Sequence, residues 1–315
     1  MAVKKGKESI KKYILYVVII RHGMIYWHYQ GIRGCQYMKL IDREQVAGMN
    51  IHYRYFSLEY FLESQMRAGF QSIELWAGSP HFFLSNLEYE DCKRVRRMIQ
   101  ERGLTVRVIT PENCSVPYQF AAADPELYRR SYDYFKKGLD AGEELGCTIM
   151  AVHSGRGNLN EDREEAWKRG RDMLARLADY AQPKGITLAM ESLRPQETNL
   201  AVTLKDVKRM FDEIHHPNFK TMIDTCAMGV SGENPEQWFQ TLGDENIIHT
   251  HFVDGMPYGH LIWGDGRHNL KEWLETLKRH HYHGLLSQEI TAQEYCYEPA
   301  EADIRNYQKF VPYME

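Results

Sequence analysis

Four short runs in the second half of the chain each close on a side chain able to hold a divalent cation. They are Leu188-Ala189-Met190-Glu191, Thr221-Met222-Ile223-Asp224, Ile247-Ile248-His249-Thr250-His251 and Leu286-Ser287-Gln288-Glu289. A single acid at a strand end is ordinarily a cap or an ion-pair partner. Four in succession, each at the equivalent place, point instead to one ion held by Glu191, Asp224, His251 and Glu289. Three carboxylates and one imidazole make a mostly oxygen donor set that suits Mn²⁺, Mg²⁺ or Co²⁺, with zinc compatible through the imidazole. A six-coordinate ion on this set keeps two positions open, which match the vicinal carbonyl and hydroxyl oxygens of a ketose. His249 shares strand parity with His251, so both can face the interior. His251 is the expected ligand because it lies nearer the C-terminal end of its run, and His249 is expected in the core or behind the ligand.

Four such ends meet only if their strands lie side by side and parallel. From about residue 49 onward, short apolar runs alternate with longer amphipathic stretches. The strand candidates are Met49–Ile51, Ser72–Trp76, Thr105–Ile109, Thr148–His153, Ile186–Glu191, Lys220–Asp224, Ile247–Val253 and Leu285–Ile290. A helix is expected after the N-cap Ser57, with Leu58, Phe61, Leu62 and Met66 on one stripe. Another is expected over Glu161–Ala181, with Trp167, Leu174, Leu177 and Ala178 inward, stopping at Pro183-Lys184-Gly185. Gly103 and Gly146 mark the same helix-to-strand turn elsewhere. Eight strand-helix units with right-handed crossovers predict an α/β fold, a single (β/α)8 TIM barrel with a short N-terminal extension. Its active site belongs at the C-terminal strand ends, where the four ligands fall. No Gly-rich dinucleotide or phosphate-binding loop follows any strand candidate.

The composition agrees. In 315 residues, 43% are hydrophobic and 26% charged, which is an ordinary globular balance, and the net charge of −4 offers no basic field for nucleic acid. Six cysteines lie far apart without a C-x-x-C pair, which points away from a disulfide framework and towards a cytoplasmic setting. Residues 1–37 read differently. Lys4, Lys5, Lys7, Lys11 and Lys12 precede the apolar run Tyr13–Ile20, superficially a secretion signal, but that run is too short to span a bilayer and Arg33 before Gly34-Cys35 opposes a lipoprotein site. The expected division is a dispensable extension over 1–37 and the barrel over 38–315, with Met38 as the working first residue.

The Glu, Asp, His and Glu at these strand ends resemble the metal site of the xylose isomerase-like barrel superfamily, whose members include ketose 3-epimerases, hydroxypyruvate isomerases and endonuclease IV. Within it the chain resembles the fructoselysine 3-epimerases through Ile73-Glu74-Leu75-Trp76-Ala77-Gly78-Ser79-Pro80-His81, Thr110-Pro111-Glu112-Asn113, Met222-Ile223-Asp224-Thr225-Cys226-Ala227 and His249-Thr250-His251-Phe252-Val253-Asp254. The likeness runs from about residue 49 to 311. It implies a divalent-metal-dependent epimerase that inverts C3 of a ketose or ketosamine through an enediolate, with Glu191 and Glu289 exchanging proton on opposite faces.

The resemblance also implies that Glu197, in Glu191-Ser192-Leu193-Arg194-Pro195-Gln196-Glu197, belongs to a substrate-contacting loop, although a salt bridge with Arg194 explains it equally. His153 closes the fourth strand and His81 follows the second, so either can reach the pocket or be an ordinary solvated histidine. Trp76 can wall the sugar face or pack in the barrel. The stretch Trp263-Gly264-Asp265-Gly266-Arg267-His268 resembles the superfamily's Gly-acid-Gly turn. In the free-ketose epimerases a histidine follows the metal aspartate by three and an arginine follows the metal histidine by six. Here those places hold Ala227 and Pro257, which favours a derivatised ketose such as a fructosamine over tagatose or psicose. The partner expected is therefore a keto sugar or sugar-amine adduct, with no nucleic acid or membrane and with a homo-oligomer compatible. Other isomerases and lyases of the superfamily, such as inosose dehydratases, are the nearest alternatives. A repair endonuclease would need further metal ligands and a basic rim.

Overall fold

Eight largely buried strands close on one another, so that most of their residues are shielded from water on both faces. In the computed structural model, which describes residues 16–21, 24–29, 39–86, 91–114, 116–256 and 258–315, they are β1 (Val46–Met49), β2 (Ser72–Ala77), β3 (Thr105–Pro111), β4 (Ile149–His153), β5 (Thr187–Glu191), β6 (Phe219–Asp224), β7 (Ile247–His251) and β8 (Leu286–Gln288). Each pairs in parallel with the next, and β8 pairs with both β7 and β1 to complete the barrel. The expected (β/α)8 architecture is the one found.

The helices follow from caps and stripes. Helix α1 (Leu58–Ala68) starts where the Ser57 side chain accepts from the Tyr60 N–H and stops at Gly69, whose φ of 104° suits only glycine. Leu58, Phe61 and Leu62 are buried as expected, but Met66 is 48% exposed and Gln65 takes the inward place. The helix expected over Glu161–Ala181 begins two residues later, at Arg163, because Asp162 caps it through the Glu164 N–H. Trp167, Leu174, Leu177 and Ala178 face inward as expected.

The first strand is displaced from the expected Met49–Ile51 to Val46–Met49. Gly48 is the reason. A Cβ there would stand 1.7 Å from Gln65 Oε1, so this strand must carry a glycine, and Val-Ala-Gly is a weak strand signal. After Met49 the chain turns into a 3-10 segment, Asn50–Tyr53, and the Asn50 amide clamps the Trp76 peptide by accepting from its N–H at 2.8 Å and donating to its C=O at 2.9 Å.

The barrel interior is filled in layers. At its N-terminal end Ala47, Val108, Ala151, Ala189, Met222 and Leu285 form an apolar plug. Above it lies a polar layer of Glu74, His249 and His251, each 0% exposed. A separate apolar cluster under the C-terminal loops, including Cys226, Val253, Ile262 and Ile290, supports the mouth. The contacts divide the chain into two units, Met1–Tyr37 and Met38–Glu315. In the first, strands Tyr16–Arg21 and Met24–Tyr29 pair antiparallel, while the lysine cluster and Arg33-Gly34-Cys35 lie outside the described residues. Among the described residues no helix is long and apolar enough to cross a membrane.

Candidate active site

Strand register aligns Asp224 with His251, and Glu191 and Glu289 reach the same imidazole from the C-terminal ends of their strands. Asp224 pairs with His251 across β6 and β7, His251 pairs with Ser287 of β8, and Glu191 pairs with His153 across β5 and β4. Glu289 follows the last residue of β8, so its side chain rises to the same mouth. Glu191 and Glu289 converge on one imidazole nitrogen, and Asp224 joins them through His260. His251 Nδ1 lies 3.0 Å from Glu191 Oε2 and 3.1 Å from Glu289 Oε2, and Glu289 Oε2 is also 3.1 Å from His260 Nε2, which stands 3.2 Å from Asp224 Oδ2. Asp224 is held by its other oxygen, which accepts from the Cys226 N–H at 2.8 Å and caps the helix Thr225–Val230.

So many carboxylates cannot share a buried space without positive charge. Burial pushes Glu191 up to about 7; the Glu289 and Asp224 carboxylates add to the rise and His251 only partly offsets it. Burial acts on Glu289 too, but His251 and His260 outweigh it and hold that carboxyl well below its usual range. His251 is itself drawn upward: burial opposes its charge, and the carboxylates of Glu289, Glu74 and Glu191 overcome that opposition. The residues fit a divalent ion, which would supply the same positive charge. His251 Nδ1 is fully buried, has no hydrogen-bond partner and faces carboxylate oxygens. Its Nε2 is meanwhile committed to Glu74 Oε1 at 3.1 Å.

Among the described residues, two groups have donor atoms close enough to share an ion: Glu74 with His249 and His251, and Asp224 with His260 and Glu289. The first is sealed in the barrel with no exposure, whereas Asp224, His260 and Glu289 line a cavity of about 480 Å³ at the barrel mouth together with Glu191.

The cavity also receives Trp76, His153 and Glu197. Trp76 is half-buried, and its indole N–H donates to Glu112 Oε2 at 3.0 Å. His153 accepts the Gly155 N–H at Nδ1, 3.0 Å away, so its Nε2–H donates to Asn113 Oδ1. Burial holds this imidazole neutral, pushed down to about 4. Glu197 is gripped by Arg194, with Oε2 accepting from the backbone N–H at 3.0 Å and from Nε at 2.9 Å. The salt bridge and the cavity position thus coexist, and Arg194 faces the cavity too.

His81 is placed elsewhere. It is 4% exposed and absent from the cavity wall; its Nδ1 accepts from Asn50 and its Nε2–H donates to the Phe56 carbonyl, each at 2.9 Å. It braces the loop after β1 and touches neither solvent nor cavity. Ala227 is fully buried in the helix Thr225–Val230, and Pro257 lies outside the described residues.

Sequence reasoning missed two residues. Glu74 was legible as a charge inside the apolar run Ile73-Glu74-Leu75, where a buried carboxylate must find donors. His260 gave no signal, because it sits on a short hairpin of Asp254–Met256 and Tyr258–Leu261 that no periodicity announces. The expected Gly-acid-Gly turn does shape this region. Asp254 accepts from the N–H groups of Gly264, Gly266 and His268 at 2.9 to 3.0 Å, tying that turn beside the site.

Residues 66–312 match the protein family described as "Xylose isomerase-like TIM barrel". The chain belongs to this family. Among characterised relatives, fructoselysine 3-epimerase of Escherichia coli O157:H7 is 28% identical over 244 residues, covering 77% of this chain and 88% of that one. Probable endonuclease 4 of Thermoplasma acidophilum is 25% identical over 206 residues, covering 63% and 64%. A solved structure of a D-tagatose 3-epimerase-like protein superposes with a TM-score of 0.71 at 19% identity, covering 85% of this chain and 98% of that one. The family barrel is therefore present throughout the part of the chain that builds the site.

Proposed function

We propose that this family member is a divalent-metal-dependent epimerase that inverts C3 of a ketose or ketosamine. The observation that carries the reading is the placement of two carboxylates, Glu191 at the end of β5 and Glu289 just past β8, within 3.0 and 3.1 Å of one histidine nitrogen at the floor of a cavity of about 480 Å³. Glu191, Asp224, His251 and Glu289 would hold the ion, with Mn²⁺, Mg²⁺ or Co²⁺ best matched to the donors. When bound, the ion supplies Lewis acidity that stabilises negative charge developing on the substrate oxygens.

The protein's own groups do the rest. Inversion needs a base on one face of C3 and an acid on the other, and the different surroundings of Glu191 and Glu289 suit an exchange of these roles. His153 and Asn113 present a neutral, hydrogen-bonded wall. Arg194 and Glu197 form a polar clamp for hydroxyls, and Trp76 offers a flat apolar face to the sugar ring.

A cavity of about 480 Å³ exceeds what a free hexose fills and leaves space for an amine-linked substituent. With 28% identity to a fructoselysine 3-epimerase, this favours a ketosamine as substrate. Replacing Glu191 or Glu289 by Gln tests the assignment. Each variant should keep its fold and lose C3 proton exchange by about a hundredfold or more. Full exchange in both would remove these residues from the mechanism.

The trio Asp224, His260 and Glu289 supports one other reading. A second ion there would suit phosphodiester hydrolysis, and cleavage of abasic-site DNA by the metal-loaded protein would favour it. The net charge of −4 stands against it.

A further inference from the structure

Glu74 lies on β2, three strands round the barrel from β7, and takes no part in lining the cavity. It is 0% exposed, yet every oxygen is engaged. Oε2 accepts from His249 Nε2 at 2.7 Å, while Oε1 accepts from His251 Nε2 at 3.1 Å and from the Thr110 hydroxyl. An ionised carboxylate can only accept, so each of these two ring nitrogens carries a proton. With Nε2 committed in this way, Nδ1 is the only ring atom of His251 that can turn a lone pair to an ion, and it stands 3.0 Å from Glu191 and 3.1 Å from Glu289 without a hydrogen-bond partner.

We propose that Glu74 is the positioning residue of the ion site: from the dry interior of the barrel it fixes the Nε2–H tautomer and ring orientation of His251, so that Nδ1 is presented to the cation. The inference rests on reading His251 as an ion ligand. Glu74 is not itself a ligand, because Glu74, His249 and His251 are all enclosed at 0% exposure and an ion among them would have no position open to the cavity. A carboxylate behind a ligating imidazole also raises its basicity, and does so most strongly where water is excluded. His249 shares the same carboxylate but has no donor atom at the mouth, so it stabilises Glu74 without touching the ion.

The test compares Mn²⁺ affinity by calorimetry in the wild-type protein, Glu74→Gln and His249→Gln, with melting curves in chelator for each. Glu74→Gln is expected to weaken Mn²⁺ binding about 10- to 100-fold, and His249→Gln to stay within about threefold of wild type. Both disturb the buried His249–Glu74 contact, so a merely structural role would lower both melting temperatures and leave the two affinities alike. That outcome, or a Glu74→Gln affinity within about threefold of wild type, overturns the proposal.

If Glu74→Gln does not fold, ¹⁵N NMR of the histidine rings in the Mg²⁺-loaded wild-type protein decides the matter. A His251 protonated at Nε2 supports the proposal, and one protonated at Nδ1 refutes it. Failure of the wild-type protein to bind Mn²⁺ would defeat the ion-site reading and this inference together, whereas normal wild-type binding with an unchanged Glu74→Gln defeats this inference alone.

Discussion

His153 gives a stability prediction that can be worked from the structure. Its ring is 6% exposed, accepts the Gly155 N–H and donates to Asn113, and burial pushes its pKa down from 6.5 to about 4. An unfolded chain protonates this histidine near its ordinary pKa of about 6.5, so between that value and about 4 the unfolded state binds more protons than the folded one. Stability from the buried neutral ring is therefore complete above about pH 6.5 and is lost as the pH falls towards about 4. At 1.36 kcal/mol for each tenfold change in proton affinity, the loss by pH 4 comes to about 3 kcal/mol. Replacing His153 by Gln removes the titrating group while keeping an amide that can reach Asn113. Urea unfolding of both proteins at a series of pH values isolates the effect. The stability difference between wild type and His153→Gln should shrink by about 3 kcal/mol between pH 7 and pH 4. A difference that does not change with pH would mean that the folded ring protonates as freely as the unfolded one, and the account of a neutral cavity wall would fail.

Three further outcomes follow from the same structure. Removing divalent metal with chelator should lower the melting temperature by about 4–5 °C, the equivalent of about 2.7 kcal/mol for an ion present at a hundred times its dissociation constant. Replacing Asp224 by Ala should abolish that difference, as differential scanning fluorimetry with and without Mn²⁺ will show. Replacing Arg194 by Met releases Glu197 and should raise KM about tenfold with a smaller effect on kcat, since the clamp binds ground state and transition state alike. A chain starting at Met38 should match the full chain in melting temperature and in kcat/KM, because every described residue that lines the cavity falls between Ile51 and Thr291; a loss of either would make residues 1–37 part of the working enzyme.

The barrel and its four candidate ligands were legible because strand and ligand announce one another: an apolar run that closes on Glu191, Asp224 or His251 states both the strand and the end of it. Glu289 follows the same pattern although β8 itself stops at Gln288. The first strand was misplaced because Gly48 is dictated by the approach of Gln65 from α1, a tertiary fact that weakens the local strand signal. Helical spacing sets Met66 on the core stripe, whereas the buried position belongs to Gln65, whose amide reaches the buried Asp303 carboxylate. His81 illustrates the limit for loops. Its place in the sequence gave no indication that Asn50 and the Phe56 carbonyl would claim both ring nitrogens. His260 shows the converse, a loop residue delivered to the centre of the site by a hairpin that local pattern does not reveal.

The most direct test of the central claim is proton NMR in D2O of the metal-loaded protein with fructose, psicose, tagatose and fructoselysine, following the C3 proton of each. The account predicts that the C3 signal of at least one of them, fructoselysine foremost, disappears as its C3 epimer accumulates. Retention of every C3 proton by a protein shown to carry a bound divalent ion would contradict it.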